Sequence, residues 1–292
     1  MLARNVTAFI AALLCFLPSL AVGGDRAGSA GRLADLLPKH ARWSLVVLDL
    51  RSGGEIAALG NAREEPLIPG SVAKLFVTGA VLDRVASGEG PEAFLPAAGM
   101  GRRSMRGRRL PAEERLLRLL RDMNVQSRNR TAERLFLRLG ELRFGGEANR
   151  EKGGKAMEEF LAGLGLPAGE ATLIDGSGLS KDNRVPARFV ARYLVEIARK
   201  PWFEKFRMTL PRAGVEGTVK DIGYADSRFR VKSGRLDNVF ALAGYGVAPR
   251  RQEVAFAFIV NVPAGKVTDR RHSKGMVVRM ISHGAFQQSR RP

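Results

Sequence analysis

Residues 66–85 of this chain, PLIPGSVAKLFVTGAVLDRV, are the segment from which the rest of the prediction follows. Two prolines and a glycine interrupt regular structure before Ser71, and the apolar spacing from Val72 to Val85 is that of a helix. The pattern therefore places Ser71 at the N-terminal end of a helix. Lys74 follows one turn later, and a spacing of three puts both side chains on the same helix face.

Strand-forming segments lie on both sides of a long helical region. Their alternation and composition predict strands at 43–50, 55–59, 230–234, 239–247 and 253–262. Helical spacing predicts helices at 32–37, 113–123, 129–139, 155–164 and 186–200, and a last one from about Ser273. This order predicts an α/β (α+β) fold in which N-terminal and C-terminal strands form one antiparallel sheet flanked by helices. An all-helical subdomain at about 90–209 stands beside the sheet in this prediction.

The N-terminus has the pattern of a cleaved secretory signal peptide over residues 1–23. Arg4 supplies a positive start, an apolar run spans Val6 to Leu17, and small residues follow a proline. The run is too short to span a bilayer comfortably. Cys15 is the only cysteine and leaves with the signal, so the predicted catalytic domain at 24–292 has no disulfide. We expect a periplasmic or secreted protein of the cell envelope.

The chain is strongly basic, with a formal net charge of +19. The densest group of arginines comprises Arg102, Arg103, Arg106, Arg108 and Arg109. Such charge attracts polyanions, and export favours an anionic wall or membrane surface over nucleic acid as the partner. A solvated, arginine-rich surface without any partner explains the composition equally well.

Two further motifs follow the Ser71–Lys74 motif along the chain: Ser127-Arg128-Asn129 and Lys232-Ser233-Gly234. Each motif alone is a weak signal, because a serine at a helix start is usually a helix cap. The ordered set of three supplies a hydroxyl nucleophile, two lysines and a carboxamide. These groups are the ones needed for serine acyl transfer with lysine in place of histidine as the base.

The first motif requires a neutral amine. A serine hydroxyl is a weak nucleophile, and Lys74 can accept its proton only when uncharged. Burial and a second nearby cation, for which Lys232 is the candidate, would lower the pKa of Lys74 toward that state. The backbone N–H groups of Ser71 and Arg235 would then form the oxyanion hole.

The other two motifs have roles that complement this chemistry. Ser127 could relay a proton to a leaving amine, and Asn129 could hydrogen-bond a backbone amide of the substrate. Gly234 lies on a predicted strand, where a glycine often marks a close approach to the backbone by a ligand. A peptide could lie alongside this extended segment as an added strand.

Other site chemistries find little support in the sequence. The three histidines, His40, His272 and His283, have no serine or aspartate partners in a triad pattern. We find no metal-ligand spacing and no phosphate-binding glycine loop, so no metal or cofactor is expected. The segment Asp175–Leu179 (DGSGL) is interpreted as a turn.

With these residues in place, the chain resembles the penicillin-recognising serine enzymes. It is most similar to the class C low-molecular-mass penicillin-binding proteins, the D-alanyl-D-alanine carboxypeptidase/endopeptidases. Besides the three motifs, the resemblance rests on DGSGLS at 175–180, DNRV at 182–185, Leu210-Pro211, GVEGT at 214–218 and ALAGY at 241–245. It extends from about residue 40 to the C-terminal helix and implies the β-lactamase/transpeptidase-like fold.

The resemblance also implies a reaction. Ser71 would be acylated by a D-Ala-D-Ala stem peptide of peptidoglycan, releasing D-alanine, and β-lactams would be covalent inhibitors. Cleavage of peptide cross-links as an endopeptidase stays open. The implied roles are base for Lys74, proton relay for Ser127, substrate ligand for Asn129, and holders of the substrate carboxylate for Lys232 and Ser233.

The chain departs from the family pattern at several positions. Arg128 replaces the usual aspartate, Ser233 replaces threonine and Arg235 replaces a small residue. The large domains often inserted between the first two motifs are missing. Two alternatives therefore stay open: a catalytically impaired peptidoglycan-binding module, and a β-lactamase, although no Glu-x-x-Leu-Asn segment is present to position a deacylating water.

Overall fold

The computed structural model describes residues 26–95, 110–224, 226–263 and 270–285. The predicted signal peptide at 1–23, with Cys15, and the arginine group at 102–109 lie outside the described residues. A single catalytic domain over 24–292 stays a prediction. None of the described helices has the length and apolar character needed to cross a membrane.

Five strands form one antiparallel sheet. They are β1 (Arg42–Asp49), β2 (Glu55–Gly60), β3 (Arg230–Arg235), β4 (Val239–Ala248) and β5 (Gln252–Asn261). The order across the sheet is β2-β1-β5-β4-β3, so strands from the two ends of the chain pair directly, β1 against β5. This confirms the prediction of one sheet built from N-terminal and C-terminal strands.

Eight helices surround this sheet in the described residues. They are α1 (Arg26–Asp35), α2 (Lys74–Ala86), α3 (Ala112–Val125), α4 (Asn129–Phe144), α5 (Arg150–Gly163), α6 (Ala187–Ala198), α7 (Phe203–Thr209) and α8 (Arg270–His283). The predicted helices are all found, within a few residues at most ends. The sequence patterns did not separate α7 from the helical region before it, and α1 begins earlier than expected.

Both faces of the sheet are buried, and alternate residues of a strand enter two different cores. On β1, Val46 and Leu48 pack into a core shared with α2 to α6, whereas Leu45 and Val47 pack into a second core shared with α1 and α8. The strand is therefore almost continuously apolar. The sheet is held rigidly between two helical layers, and this rigidity fixes the position of β3 at its edge.

Helix α2 is the central helix of the larger core. A 3-10 turn at Gly70–Ala73 leads into it, and every residue from Lys74 to Leu82 is buried. A lysine in such surroundings is unusual, because burying its charge is costly unless it is paired or neutral. The start of α2 is consequently the place to look for chemistry.

Candidate active site

The side chains of the first two motifs meet at the start of α2. Lys74 Nζ lies 2.9 Å from Ser71 Oγ and 2.9 Å from Asn129 Oδ1. It also donates a short hydrogen bond to the Ser177 carbonyl oxygen. The amine therefore has three oxygen partners, which come from three separate segments of the chain.

These partners fit a neutral amine. The Asn129 and Ser177 oxygens can only accept hydrogen bonds, so they take the two N–H groups of an uncharged lysine. The structure has Lys74 Nζ donating to Ser71 Oγ, and in the uncharged amine the remaining lone pair can accept the proton of this hydroxyl. The geometry places a lysine amine in hydrogen-bond contact with a serine hydroxyl, which is the pair that a lysine-assisted nucleophile requires.

Burial is the main cause of the altered titration of Lys74. It lowers the pKa of this lysine from 10.5 to about 7, against the opposing attraction of the Asp175 and Glu133 carboxylates. We had expected Lys232 to contribute as a second cation. The repulsion between the two amines instead lowers the pKa of Lys232, which burial already holds well below its usual range.

Arg128 does not contribute to the lowered pKa of Lys74. Its side chain is exposed and turns to Asp122, with 3.1 Å between Nε and Oδ2. Arg128 is not among the groups that shift the pKa of Lys74. The departure from the family pattern at this position therefore leaves the environment of the base intact.

Lys232 connects the second motif to the third. Its buried amine donates to Ser127 Oγ at 3.1 Å and to the Ser233 carbonyl oxygen at 2.8 Å. Ser127 has a left-handed backbone, with a φ of 55°, at the end of α3. Glycine is the usual residue there, and a serine costs about 1–2 kcal/mol. Such strain is typical of a residue held for its side chain.

Neither serine is a helix cap. The 3-10 turn before α2 and the helix α4 have no side-chain capping hydrogen bond at their N-termini. The hydroxyls of Ser71 and Ser127 contact lysine amines instead. The two serines are therefore not helix-capping residues, and both belong to one polar site with the lysines.

The third motif lies on the edge strand β3, directly against the turn that carries Ser71. A Cβ placed on Gly234 would lie 2.5 Å from the Pro69 carbonyl oxygen and 3.2 Å from Ser71 N. The sequence predicts a close approach by a ligand at Gly234, whereas the segment that approaches this glycine is the chain's own Pro69–Ser71. Only glycine allows this contact, which brings the backbone N–H of Ser71 beside β3.

The open edge of β3 begins at the third motif. Residues 211–213 cover the earlier part of this edge, with Val231 N donating to the Pro211 carbonyl at 3.0 Å. Since backbone groups alternate along a strand, those of Ser233 and Arg235 point to the same edge beyond the covered part. A Cβ on Gly70 would lie 3.2 Å from Arg235 N. The N–H groups of Ser71 and Arg235 are therefore neighbours, as an oxyanion hole requires.

A loop after α5 forms the opposite wall of the site. Asp175 accepts hydrogen bonds from Gly178 N at 2.5 Å and from Ser180 N at 2.7 Å, which closes the loop on itself. Gly178 has a φ of 80°, and a Cβ there would lie 1.9 Å from the Gly70 carbonyl oxygen. The loop thus packs tightly on the catalytic turn, and this places the Ser177 carbonyl on Lys74.

Sequence reasoning identified this loop as a turn but did not assign it to the site. It also missed Glu133 on α4, whose carboxylate accepts from Gly176 N at 3.1 Å and from Arg150 Nε at 2.7 Å. Glu133 therefore ties α4, α5 and the Asp175 loop together next to Lys74. In the described residues, no group of histidine, cysteine and acidic side chains could hold a metal ion.

Comparison with known proteins places this geometry in a family. The model of the D-Ala-D-Ala carboxypeptidase 3 (S13) family matches residues 112–282. The D-alanyl-D-alanine carboxypeptidase DacB of Haemophilus influenzae is 32% identical over 148 residues, which are 49% of this chain and 31% of that protein. The match thus spans about a third of the length of this curated relative.

Solved structures show the fold. Penicillin-binding protein 4 (dacB) from Haemophilus influenzae, crystallised with a β-lactam, has a TM-score of 0.66 at 15% identity, covering 87% of this chain and 98% of that chain. A class A β-lactamase from Bacteroides cellulosilyticus has a TM-score of 0.61 at 17% identity, covering 90% of this chain and 98% of that chain. The predicted β-lactamase/transpeptidase-like fold is confirmed.

The region matched by the family model contains the second and third motifs, whereas Ser71 and Lys74 precede it. The fold brings the first motif to the other two, through the hydrogen bond between Lys74 and Asn129. This joins the unmatched part of the chain to the matched part in a single site. Because the family model matches more than half of the sequence, and the motif-based resemblance to class C penicillin-binding proteins agrees with it, the chain belongs to the D-Ala-D-Ala carboxypeptidase 3 (S13) family.

Proposed function

We propose that this protein is a serine-type D-Ala-D-Ala carboxypeptidase that acts on peptidoglycan stem peptides through an acyl-enzyme on Ser71. The observation that carries the proposal is the set of partners of Lys74. Two acceptor-only oxygens take its N–H groups, and the third partner is the Ser71 hydroxyl. A lysine held this way, with a pKa of about 7, is a competent base at neutral pH.

Acylation follows from this arrangement. Ser71 Oγ attacks the carbonyl carbon of the penultimate D-alanine while its proton passes to Lys74. The N–H groups of Ser71 and Arg235 stabilise the negative oxygen that forms. As the C–N bond breaks, the terminal D-alanine amine takes a proton from the Ser127 hydroxyl, which Lys232 contacts at 3.1 Å. The proton that Lys74 took from Ser71 then restores the Ser127 hydroxyl and leaves Lys74 neutral again. Water then hydrolyses the ester and regenerates Ser71.

The substrate binds at the open edge of β3. Its backbone extends the sheet by one strand beside Ser233 and Arg235. Asn129 accepts from Lys74 through Oδ1, so its Nδ2 amide is the group that can donate to a substrate carbonyl. Lys232 and Ser233 supply an amine and a hydroxyl as hydrogen-bond donors for the terminal carboxylate.

The carboxylates near Lys74 favour a carboxypeptidase over a β-lactamase. Asp175 and Glu133 both act on the pKa of Lys74, but their oxygens are engaged by loop N–H groups and by Arg150. Among the described residues, neither has a hydrogen bond to Ser71 or Lys74. A carboxylate that could serve as the base for the deacylating water is thus not in contact with Ser71 or Lys74 in the described residues, and we propose that β-lactams are slowly released covalent inhibitors.

The setting of the reaction is also part of the proposal. A peptidoglycan substrate requires the cell envelope, in agreement with the signal peptide predicted at 1–23. Contact of the basic surface with an anionic wall or membrane surface is a further prediction, since the net charge is +19. Retention on purified peptidoglycan that is lost as salt is added would support that contact.

Labelling with a fluorescent penicillin tests the acyl-enzyme, with Ser71→Ala as the control. We expect a covalent label on the wild type, none on the variant, and D-alanine release from a stem pentapeptide by the wild type alone. Wild-type labelling without D-alanine release would instead support the impaired wall-binding module. Rapid nitrocefin turnover would support the β-lactamase, and an unlabelled wild type would overturn the acyl-enzyme. A cross-linked muropeptide substrate measures the endopeptidase activity.

A further inference from the structure

A threonine that none of the three motifs contains stands at the cleft. Thr218 Oγ1 lies 2.8 Å from Ser233 Oγ, and either atom can donate in this hydrogen bond. Ser233 is only 6% exposed, whereas Thr218 is exposed. The threonine hydroxyl is thus the solvent-facing member of a hydroxyl pair at the third motif.

The turn that presents Thr218 is anchored at its base. Gly214 N donates to the Val219 carbonyl at 2.9 Å, which closes the turn. The Glu216 carboxylate accepts from Arg212 N at 2.9 Å and from Arg121 Nη2 at 2.8 Å. Arg121 belongs to α3, so the turn is fixed both to itself and to the helix that ends at the second motif.

Gly217 brings the turn against that helix end. Its φ is 49°, and a Cβ there would lie 2.1 Å from the Val125 carbonyl oxygen, two residues before Ser127. Glycine is therefore required for this contact on both conformational and steric grounds. Thr218 follows immediately and stands between the second and third motifs.

The surroundings of Thr218 are those of an anion site. Whichever of the two hydroxyls donates to the other, one O–H of the Thr218–Ser233 pair remains free to donate to a ligand. The amine of Lys232 lies beside it, donating to the Ser233 carbonyl oxygen. Two linked hydroxyls next to a buried lysine amine give a set of hydrogen-bond donors that suits a carboxylate, and hydrogen bonds in such chains strengthen one another.

We propose that Thr218 is a further ligand of the substrate's terminal carboxylate and positions the Ser233 hydroxyl for the same group. This inference rests on the proposed function, since the carboxylate is that of the C-terminal D-alanine. Thr218→Val keeps the shape of the side chain and removes the hydroxyl, and Thr218→Ser restores the hydroxyl. Thr172→Val is a matched control, because Thr172 is exposed and its loop is held by backbone hydrogen bonds to Arg184.

Binding of N-acetyl-D-alanyl-D-alanine to protein carrying Ser71→Ala tests the proposal without requiring catalysis. We expect Thr218→Val to weaken binding of this dipeptide about tenfold, in line with the loss of a hydrogen bond to a charged group. Thr218→Ser and Thr172→Val should bind it as the parent does. The same dipeptide with a C-terminal amide should bind all four proteins equally, and thermal unfolding verifies that each is folded.

The outcomes separate this inference from the proposed function. Equal weakening for the acid and the amide, no weakening in Thr218→Val, or no dipeptide binding by the parent would overturn the role of Thr218. A Thr218-dependent preference for the acid, in a protein whose Ser71 is never labelled by penicillin, would support the carboxylate site and contradict the acyl-enzyme. With active protein, the KM for a D-Ala-D-Ala peptide should rise more than kcat falls.

Discussion

The rate of acylation of Ser71 by penicillin should rise about tenfold between pH 6 and pH 8. The pKa of Lys74 is about 7. The neutral, reactive fraction of this lysine is then about 9% at pH 6, about 50% at pH 7 and about 91% at pH 8. A solvated lysine would be neutral in only about one molecule in 3,000 at pH 7. The pH at which the acylation rate rises therefore measures how far the protein lowers the pKa of Lys74.

Glu133→Gln perturbs this titration in a known direction. The Glu133 carboxylate raises the pKa of Lys74, so its removal should move the midpoint of the pH profile to lower pH. Glutamine keeps an oxygen that can accept from Gly176 N, which protects the loop. Asp175 attracts Lys74 more strongly, but its carboxylate closes that loop and cannot be replaced without disturbing it.

The assay measures the second-order rate constant of labelling by fluorescent penicillin from pH 5 to pH 9. Each variant is normalised to its own plateau at high pH, so that a loss of packing does not imitate a shift of the midpoint. A rate independent of pH, or a midpoint near that of free lysine, would refute the assignment of Lys74 as a neutral base. An upward shift in Glu133→Gln would refute the electrostatic argument while leaving the base in place.

Three further predictions concern the frame of the site. Gly178→Ala should lower the free energy of unfolding in urea by about 2–4 kcal/mol and slow acylation, because it combines a left-handed backbone with a collision at the Gly70 carbonyl. Gly163→Ala, in open space at the end of α5, should be neutral or slightly stabilising, and equal effects of the two changes would contradict the packing argument. Arg128→Ala should leave the acylation rate within about twofold, because its ion pair is exposed, and a larger loss would place Arg128 in the site after all. The folded pKa of Lys74 lies below its unfolded value, so above about pH 7 the unfolded chain binds more protons at this residue than the folded chain does. Lys74 should therefore make the free energy of unfolding in urea rise with pH by at most about 1.4 kcal/mol per unit, and Lys74→Met should lower the observed slope by up to that amount.

Local patterns carried most of the fold prediction. The apolar segment at 43–50, followed by a turn and a returning strand, is a short-range signal, and the structure pairs β1 with β2 accordingly. The central helix was predicted from apolar spacing after Ser71. Because Ser71 and Lys74 share one helix face, their contact also follows from local geometry. These elements depend on residues a few positions apart, which is the range that a sequence pattern describes.

The rest of the site depends on contacts between distant segments. Ser177 contributes a backbone carbonyl, and no side-chain pattern marks a carbonyl as the partner of a lysine. Thr218 and Glu133 reach the site only through the packing of a turn and a helix on it. The available signal was the glycines: Gly178 has positive φ and closely approaches another backbone segment in the structure. A glycine in the sequence indicates that a close contact is possible, but it does not identify the segment that makes the contact.

The buried polar groups beneath the site explain why its parts keep their relative positions. Asn124, fully buried near the end of α3, donates to Thr78 Oγ1 on α2 and to Thr209 Oγ1 on α7, each at 3.0 Å. Thr78 in turn donates to the Lys74 carbonyl oxygen. The helix that ends at Ser127 is thereby tied to the helix that begins at Lys74, below the point where their side chains act. Because a buried amide or hydroxyl is costly without partners, the hydrogen bonds of the Asn124 amide group and of Thr78 stabilise the arrangement in which the two motifs lie side by side.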